Sequence, residues 1–332
     1  MTIELRSASR LPYDLSVIGL GTWQLGGDWG HVESSTATEI LAAASDAGVT
    51  LFDTADVYGD GRSEQTIGAF LRQHPDIAAH TTVFTKMGRR VEQLPENYVL
   101  ANFRGWIDRS RQNLGVETLD LVQLHTPPTA VFSSAEVFDA LDTLVTEQRI
   151  AAYGVSVETC DQALTAISRP GVASVQIILN AFRQKPLEQV LPAAIEAGVA
   201  IVARVPLASG LLSGRFNRST TFSPDDHRQF NRHGEAFDVG ETFAGVPFEA
   251  GVDAAVRFSA IAAEAGVSPA HLALRWIIDQ PGVTTVIPGA SSVAQVKANA
   301  AAIEVVPLSQ SARVAIKELY DEQLRPLVHD KW

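Results

Sequence analysis

The chain has 332 residues, 46% of them hydrophobic and 19% charged, so it can bury a large core and is neither disordered nor fibrous. A formal net charge of −12 argues against nucleic acid or an anionic membrane surface as a partner. One cysteine, no signal-peptide pattern and no run of about 20 apolar residues predict a cytoplasmic protein with no internal disulfide and no membrane partner.

The predicted elements begin with two short apolar stretches, 3–6 and 11–14, which we expect to form a β-hairpin across a barrel floor. Eight buried strands follow, because short runs rich in β-branched residues recur along the chain. The predicted strands are 17–20, 50–52, 83–85, 119–124, 153–155, 175–178, 200–203 and 285–287. Helical patterns separate them, and glycines such as Gly48 and Gly198 predict helix ends.

Strand and helix alternate about eight times, which predicts a parallel sheet with helices outside it. An open sheet that bound a dinucleotide should carry a GxGxxG fingerprint after its first strand. Here Gly19 and Gly21 are followed by the residues TWQ, so the fingerprint is absent. We therefore predict a (β/α)8 TIM barrel with an N-terminal hairpin, forming one domain over residues 1–332.

One segment, 212–251, departs from the repeat because it is rich in polar residues, glycine and phenylalanine and has no clear period. It lies after the seventh predicted strand, and long irregular segments in compact domains are commonly functional. Two interpretations stay open: a lid over a ligand, or an ordinary surface excursion.

Ionisable residues follow three neighbouring strands of the predicted barrel. Asp53, Lys86 and His125 stand at successive strand ends, and Tyr58 lies on the first of the loops that follow. Each alone has an ordinary explanation, such as a helix cap for Asp53 or surface exposure for Lys86. Together, at the face where barrel enzymes place their chemistry, they predict a catalytic group.

The chemistry of these four residues is consistent with acid–base catalysis. A tyrosine with a pKa of about 10 is a poor proton donor near neutrality, and a nearby ammonium lowers that pKa. We expect Lys86 to be that ammonium, Asp53 to keep it charged, and His125 to hydrogen-bond a carbonyl oxygen. Such a site polarises a carbonyl group but holds no nucleophile, so the reaction needs a hydride donor such as a nicotinamide cofactor.

The chain also resembles the aldo-keto reductase family in eight motifs that occur in the family's order. These are GLGTW at 19–23, DTADVYG at 53–59, FTKMG at 84–88, LVQLHTPP at 121–128, YGVS at 153–156, VQIILN at 175–180, VPLASGLLSGRF at 205–216 and VIPGAS at 286–291. The resemblance implies NAD(P)(H)-dependent interconversion of a carbonyl compound and its alcohol, with Asp53, Tyr58, Lys86 and His125 as the catalytic tetrad.

The resemblance further implies where the cofactor binds. Ser156 and Gln176 match positions that bind the nicotinamide carboxamide, the 206–214 loop matches the pyrophosphate segment, and 289–299 matches the adenosine end. The implied cofactor-binding residues are Gly21, Thr22, Trp23, Ser156, Gln176, Arg204, Val205, Pro206, Leu207, Ser209, Gly210, Leu212, Gly289, Ser291, Gln295 and Asn299.

Two positions depart from the family pattern. Val157 stands where the family often has asparagine, which removes one amide contact to the nicotinamide. Arg204 stands where an aromatic residue commonly stacks on the nicotinamide. Because a guanidinium can also stack on a ring, we expect Arg204 to contact the nicotinamide or a substrate oxygen, and its charge to disfavour the oxidised cofactor. An outward salt bridge is the alternative.

The cofactor and the substrate are predicted less specifically. NADP(H) is the first expectation, with NAD(H) as the alternative, because Ser291, Ser292, Gln295 and Lys297 offer hydroxyls and one cation but no arginine for a 2′-phosphate. We expect five residues to bind a small carbonyl or alcohol substrate, while the substrate's identity and the oligomeric state stay open. They are Trp23, Trp29, Tyr58, His125 and Thr126.

Two other functions are weighed against this one. A slow cofactor-binding regulatory barrel, as in the channel auxiliary subunits of the family, is the main alternative. A barrel metallohydrolase or lyase needs clustered ligands at strand ends, where His125 is the only predicted histidine. The remaining cysteine, Cys160, has no evident base partner and is expected to be buried packing.

Overall fold

The computed structural model describes residues 3–26 and 33–332 and is built around an eight-stranded parallel sheet. Within these residues, the strands pair in chain order from the first of the sheet to the last. They are β3 (Leu20–Gly21), β4 (Leu51–Asp53), β5 (Thr82–Met87), β6 (Leu119–His125), β7 (Ile150–Ser156), β8 (Val172–Ile178), β9 (Ala200–Arg204) and β10 (Val283–Val286).

The sheet closes on itself between its first and last strands. Parallel bridges join Ile18 to Val286 and Gly21 to Gly289. The backbone N–H of Gly21 donates to the carbonyl oxygen of Pro288 at 3.1 Å. The eight strands therefore form the predicted (β/α)8 barrel, with no free edge at this seam.

An antiparallel hairpin, β1 (Leu5–Arg6) and β2 (Leu15–Ser16), precedes the barrel. Its connecting segment places Leu11 in the apolar cluster inside the barrel. The predicted hairpin is confirmed. Its second strand was predicted at 11–14 but lies at Leu15–Ser16. Leu11 is buried in the interior of the barrel, so the strand pairing begins later in the chain. The buried residues of this interior cluster are Leu11, Leu15, Leu51, Phe84, Leu121, Ala152, Ala173, Ala200, Val202 and Ile287.

Helices cover the outside of the barrel. Their bounds are α1 (Trp23–Gly26), α2 (Ser34–Asp46), α3 (Arg62–Gln73), α4 (Pro75–Ala78), α5 (Leu100–Leu114), α6 (Thr129–Ser133), α7 (Ala135–Thr146), α8 (Cys160–Ile167), α9 (Val190–Ala197), α10 (His227–Phe230), α11 (Phe248–Glu264), α12 (Pro269–Ile278), α13 (Val293–Ala300), α14 (Gln310–Leu319) and α15 (Arg325–Val328). Gly198 ends α9 with a φ of 70°, a conformation that favours glycine, as predicted.

Alternate strand residues face inward and outward, which explains why the strands carry continuous apolar runs. In β4 and β5, Leu51 and Phe84 join the interior cluster, whereas Phe52 and Val83 pack against the helices. Both faces are thus buried, as is usual for parallel sheets. The first predicted strand, 17–20, is shifted in the structure, where Leu20–Gly21 forms the paired strand.

The irregular segment between β9 and α11 contains α10 and short 3-10 turns at Ala208–Ser213, Val239–Glu241 and Phe243–Gly245. Phenylalanine rings hold it together, including Phe222 with Phe243 at 5.8 Å between ring centroids. The segment follows the seventh barrel strand, as predicted. Among the described residues, no helix has the length and apolarity needed to cross a membrane.

Candidate active site

The carboxyl ends of β4 and β5 bring Asp53 and Lys86 into contact. Lys86 Nζ lies 2.5 Å from Asp53 Oδ1 and donates to the carbonyl oxygen of Thr54 at 2.8 Å. The other Asp53 oxygen accepts a hydrogen bond from Gln176 Nε2 at 2.7 Å. Both charged side chains are buried, so the pair is fixed by hydrogen bonds on each partner and shielded from water.

Tyr58 lies on the loop after β4, close to this ion pair. Lys86 Nζ is 5.2 Å from the centroid of the Tyr58 ring. The ring of His125, at the end of β6, is 6.0 Å from the Tyr58 ring and nearly perpendicular to it. The structure therefore brings together the four residues that strand-end position predicted.

Two glycines hold the Tyr58 loop against helix α1. Gly59 has a φ of 59°, and a Cβ built on it would lie 2.3 Å from the carbonyl oxygen of Gly26. A Cβ built on Gly26 would lie 2.7 Å from the nitrogen of Gly59. Neither backbone leaves room for a side chain, so direct backbone packing sets the position of Tyr58.

Burial governs the protonation of these groups. Burial raises the pKa of the Tyr58 hydroxyl, and the Lys86 ammonium lowers it, as expected, but only in part offsets the effect of burial. Burial lowers the pKa of Lys86, but Asp53 and Tyr58 more than offset it and leave that pKa raised. The pKa of His125 falls well below its ordinary value because of burial and the nearby cations Arg89, Lys86 and Arg204. The site thus holds a charged lysine and a neutral imidazole.

A cavity of about 510 Å³ runs from these residues to the start of α13. Its volume falls in the range of small-molecule pockets. Its lining includes Asp53, Tyr58 and His125 of the tetrad, together with the following residues predicted to bind cofactor: Gly21, Thr22, Trp23, Ser156, Gln176, Arg204, Val205, Pro206, Leu207, Ser209, Gly210, Gly289, Ser291, Gln295 and Asn299.

Residues 17–321 match the family described as "Aldo/keto reductase family". The chain belongs to the aldo/keto reductase family. It is 31% identical over 300 residues to an aldo-keto reductase of Bacillus subtilis, covering 89% of this chain and 87% of the relative.

Two solved structures resemble this aldo-keto reductase closely in fold. The glycerol dehydrogenase AKR11B4 from Gluconobacter oxydans has a TM-score of 0.77 and 29% identity, over 99% of this chain and 97% of that one. An aldo/keto reductase from Klebsiella pneumoniae, solved with NADP and acetate, has a TM-score of 0.70 and 24% identity, over 96% of each chain.

The loop after β9 in this reductase has an unusual backbone conformation. Val205, Ala208, Ser209 and Gly210 have positive φ values of 53°, 47°, 52° and 100°, and the first three of them carry side chains. The N–H groups of Ala208 and Gly210 donate to backbone carbonyl oxygens within the loop, at 3.0 and 2.9 Å. Val205, Ser209 and Gly210 line the cavity.

At the far end of the cavity, Ser291 and Gln295 stand at the start of α13. The Gln295 side-chain oxygen accepts from the Ser291 N–H at 2.7 Å. Ser292 caps the helix by accepting from the N–H of Gln295. Asn299 Nδ2 donates to the carbonyl oxygen of Gly289 at 3.3 Å, so these residues fix the loop on which an adenosine would rest.

Two predicted site residues do not line the cavity, and a third cannot be compared. Leu212 does not line the cavity and is buried in the core, because its turn directs it toward apolar neighbours. Thr126 does not line the cavity either, and its hydroxyl accepts a hydrogen bond from Arg89. Trp29 lies outside the described residues.

The guanidinium of Arg204 is buried, and most of it contacts other protein groups, not solvent or the open part of the cavity. Its Nη1 is 2.5 Å from Glu241 Oε2, and its Nη2 is 3.1 Å from Glu158 Oε2. Nη2 also donates to the carbonyl oxygen of Val157 at 2.9 Å. The alternative of an outward salt bridge is wrong, because the ion pair is internal and joins Arg204 to two carboxylates. Arg204 also lines the cavity, so its contact with the nicotinamide or a substrate oxygen stays a prediction.

Several lining residues were not predicted from the sequence, among them Arg89, Phe237 and Glu241. Phe237 and Glu241 come from the irregular segment, which supplies part of the cavity wall. Arg89 follows the FTKMG motif by one residue, so its position near a strand end was the available signal. Trp23 was predicted to line the site. The centroid of its ring lies 5.8 Å from that of the Phe237 ring and 6.1 Å from that of the Tyr58 ring.

Cys160 begins α8 and is buried, as expected. Burial raises the pKa of its thiol to about 11, which makes it a poor nucleophile near neutrality. The described residues contain no group of three potential metal ligands.

Proposed function

We propose that this reductase interconverts a carbonyl compound and its alcohol by hydride transfer, with Tyr58 as the general acid in reduction and the general base in oxidation. The observation that carries the proposal is the contact of the buried Lys86 with Asp53 and with the face of the Tyr58 ring, two residues that line the cavity. This arrangement supports a proton donor beside a buried, permanently charged group.

Each side chain has a separate task in the proposed reaction. The neutral imidazole of His125 donates a hydrogen bond to the substrate oxygen. As negative charge develops on that oxygen, Tyr58 transfers its proton, and the Lys86 ammonium stabilises the phenolate that remains. Asp53 keeps Lys86 charged and oriented. A nicotinamide cofactor supplies the hydride when it is bound.

We propose NADP(H) as that cofactor, with NAD(H) as the alternative. Ser156 and Gln176 would hold the nicotinamide amide, although one Gln176 N–H already bonds to Asp53. Ser209 and Gly210 would hold the pyrophosphate, and Ser291 with Gln295 the adenosine end. Family membership and the NADP in the Klebsiella pneumoniae enzyme support the preference for the phosphorylated cofactor.

A cofactor-consumption screen tests the proposal. The purified chain is mixed with NADPH or NADH and aldehydes, ketones or sugars, and with NADP⁺ or NAD⁺ and alcohols. Glycerol belongs among the alcohols because a glycerol dehydrogenase is a structural neighbour. We expect turnover of at least one carbonyl class, absent in Tyr58→Phe. Tight cofactor binding without turnover of any class would instead favour the regulatory alternative.

A further inference from the structure

The argument begins with Arg89, which borders the cavity beside Tyr58 and His125. Its guanidinium donates to the hydroxyl of Thr126, and 22% of its side chain is exposed. Among the described residues, its Nε has no hydrogen-bond partner. Arg89 is therefore a cation at the reaction end of the cavity, and the described part of the chain uses only part of its hydrogen-bonding capacity.

The position of Arg89 is fixed by an unusual backbone conformation at Thr126. Thr126 has a φ of 45°, which is costly for a β-branched residue. The side-chain amide of Gln93 holds this conformation by donating to the carbonyl oxygens of His125 and Thr126 at 3.1 and 3.0 Å. Strained backbone persists where surrounding contacts enforce it. Here, it directs the Thr126 hydroxyl toward the guanidinium of Arg89.

The charge of Arg89 is less compensated than that of its neighbour Arg204. Arg204 contacts two carboxylates, Glu241 at 2.5 Å and Glu158 at 3.1 Å. Among the described residues, Arg89 forms one ion pair, with Glu158 at 3.8 Å, and it lies close enough to Glu241 to lower the pKa of that carboxyl. Burial and the nearby Glu241 raise the pKa of Glu158 to about 7, so this carboxyl is partly protonated near neutrality. A third guanidinium, that of Arg183, donates to the backbone carbonyl oxygen of Glu158 and not to its carboxylate.

We propose that Arg89 binds a carboxylate on the substrate, so that this reductase prefers carbonyl compounds that also carry a carboxylate. A guanidinium presents paired donors that match the two oxygens of a carboxylate. Because the chain carries a net charge of −12, an anionic substrate needs such a local cation. The inference rests on the proposed function, since it places the substrate carbonyl at Tyr58 and its carboxylate at Arg89.

Two aldehydes of nearly equal shape test the proposal: 4-carboxybenzaldehyde, which is anionic, and 4-nitrobenzaldehyde, which is neutral. The quantity measured is the ratio of their kcat/KM values, because the two carbonyl groups differ in intrinsic reactivity. In Arg89→Gln we expect kcat/KM for the carboxylate to fall about 10- to 100-fold, as for loss of a charged hydrogen bond. We expect the nitro compound to change less than about threefold, and Arg89→Lys to retain part of the preference.

Arg104→Gln is the matched control, because Arg104 lies on α5 in an exposed pair with Glu147. In this variant, the ratio of the kcat/KM values for the two aldehydes should equal that of the unmodified chain. An equal loss for both aldehydes in Arg89→Gln, or no change in the ratio, overturns the proposal.

Benzoate binding in the presence of NADP⁺, measured by calorimetry with benzamide as the neutral comparison, separates this inference from the proposed function. If neither these aldehydes nor any carbonyl compound or alcohol of the cofactor-consumption screen is turned over, the proposed function fails. In that case, benzoate binding that is lost in Arg89→Gln still supports carboxylate recognition, whereas binding that is absent or unaffected overturns it.

Discussion

Arg204 and Glu241 form a buried ion pair in which Nη1 and Oε2 are 2.5 Å apart. The pair connects the end of β9 to the irregular segment that follows, 37 residues further along the chain. Glu158, after β7, contacts the same guanidinium. One arginine thus joins two barrel loops and the wall of the cavity.

Removing this arginine should destabilise the protein strongly. Arg204→Met leaves Glu158 and Glu241 buried without their main cation, and we expect a loss of about 3–5 kcal/mol in the free energy of unfolding. Urea denaturation followed by circular dichroism measures it. Arg204→Met combined with Glu241→Gln should recover part of the loss.

The exposed pair of Arg218 with Asp253 gives the control, since Arg218→Met should cost less than about 1 kcal/mol. Equal stability of the two single variants would contradict the account.

The proton donor can be tested without altering the cavity shape. Tyr58→Phe keeps the ring that faces Trp23 but removes the hydroxyl. We expect kcat for carbonyl reduction to fall about 10²- to 10⁴-fold. Cofactor affinity, measured by fluorescence titration, should stay within about twofold. A variant that retains most of its activity would rule out Tyr58 as the acid.

Lys86 should set the pH at which Tyr58 becomes a base. Burial raises the pKa of Tyr58, and the Lys86 ammonium is the largest opposing influence. Removing that ammonium in Lys86→Met therefore raises the pKa further. Alcohol oxidation needs the phenolate, so its rate should rise at a higher pH than in the unmodified chain. Lys86→Arg, which keeps a cation, should shift the profile less, and a profile that moves to lower pH would contradict the assignment.

His227 should make the fold sensitive to acid. Burial lowers its pKa to about 4, against an unfolded value of 6.5. The unfolded chain then binds a proton that the folded protein excludes, so stability falls as pH drops below about 6.5. At pH 5 this loss is about 2 kcal/mol. Urea denaturation at pH 7.5 and pH 5 gives the difference in the free energy of unfolding between the two pH values. This difference should be about 2 kcal/mol smaller in His227→Gln than in the unmodified chain. An identical difference in both proteins would contradict the prediction.

The sequence predicts the barrel and the tetrad because both follow from local patterns. Asp53, Lys86 and His125 end buried strands, and parallel strand ends must meet at one face. Thr126 and Leu212 also belong to motif segments, but the direction of their side chains depends on tertiary contacts that a motif does not encode. Both were assigned to the cavity, and neither is among the residues that line it.

The partners of Arg204 and Arg89 were missed for the same reason. Glu241 lies in a segment without periodicity, so no sequence pattern indicates that it returns to the end of β9. Arg89 stands near a strand end, yet its orientation depends on the backbone conformation of Thr126. Charge compensation is a property of the folded neighbourhood, and the sequence alone shows only that a charge is present.

The contact between Gly26 and Gly59 has a consequence for redesigning this enzyme. Because the backbones touch, helix α1 and the Tyr58 loop cannot be varied separately: a side chain at either glycine displaces the tyrosine. Libraries meant to broaden substrate scope are therefore better directed at Phe237 and its neighbours in the irregular segment, which border the same cavity. There, a change of shape leaves the reacting hydroxyl in place.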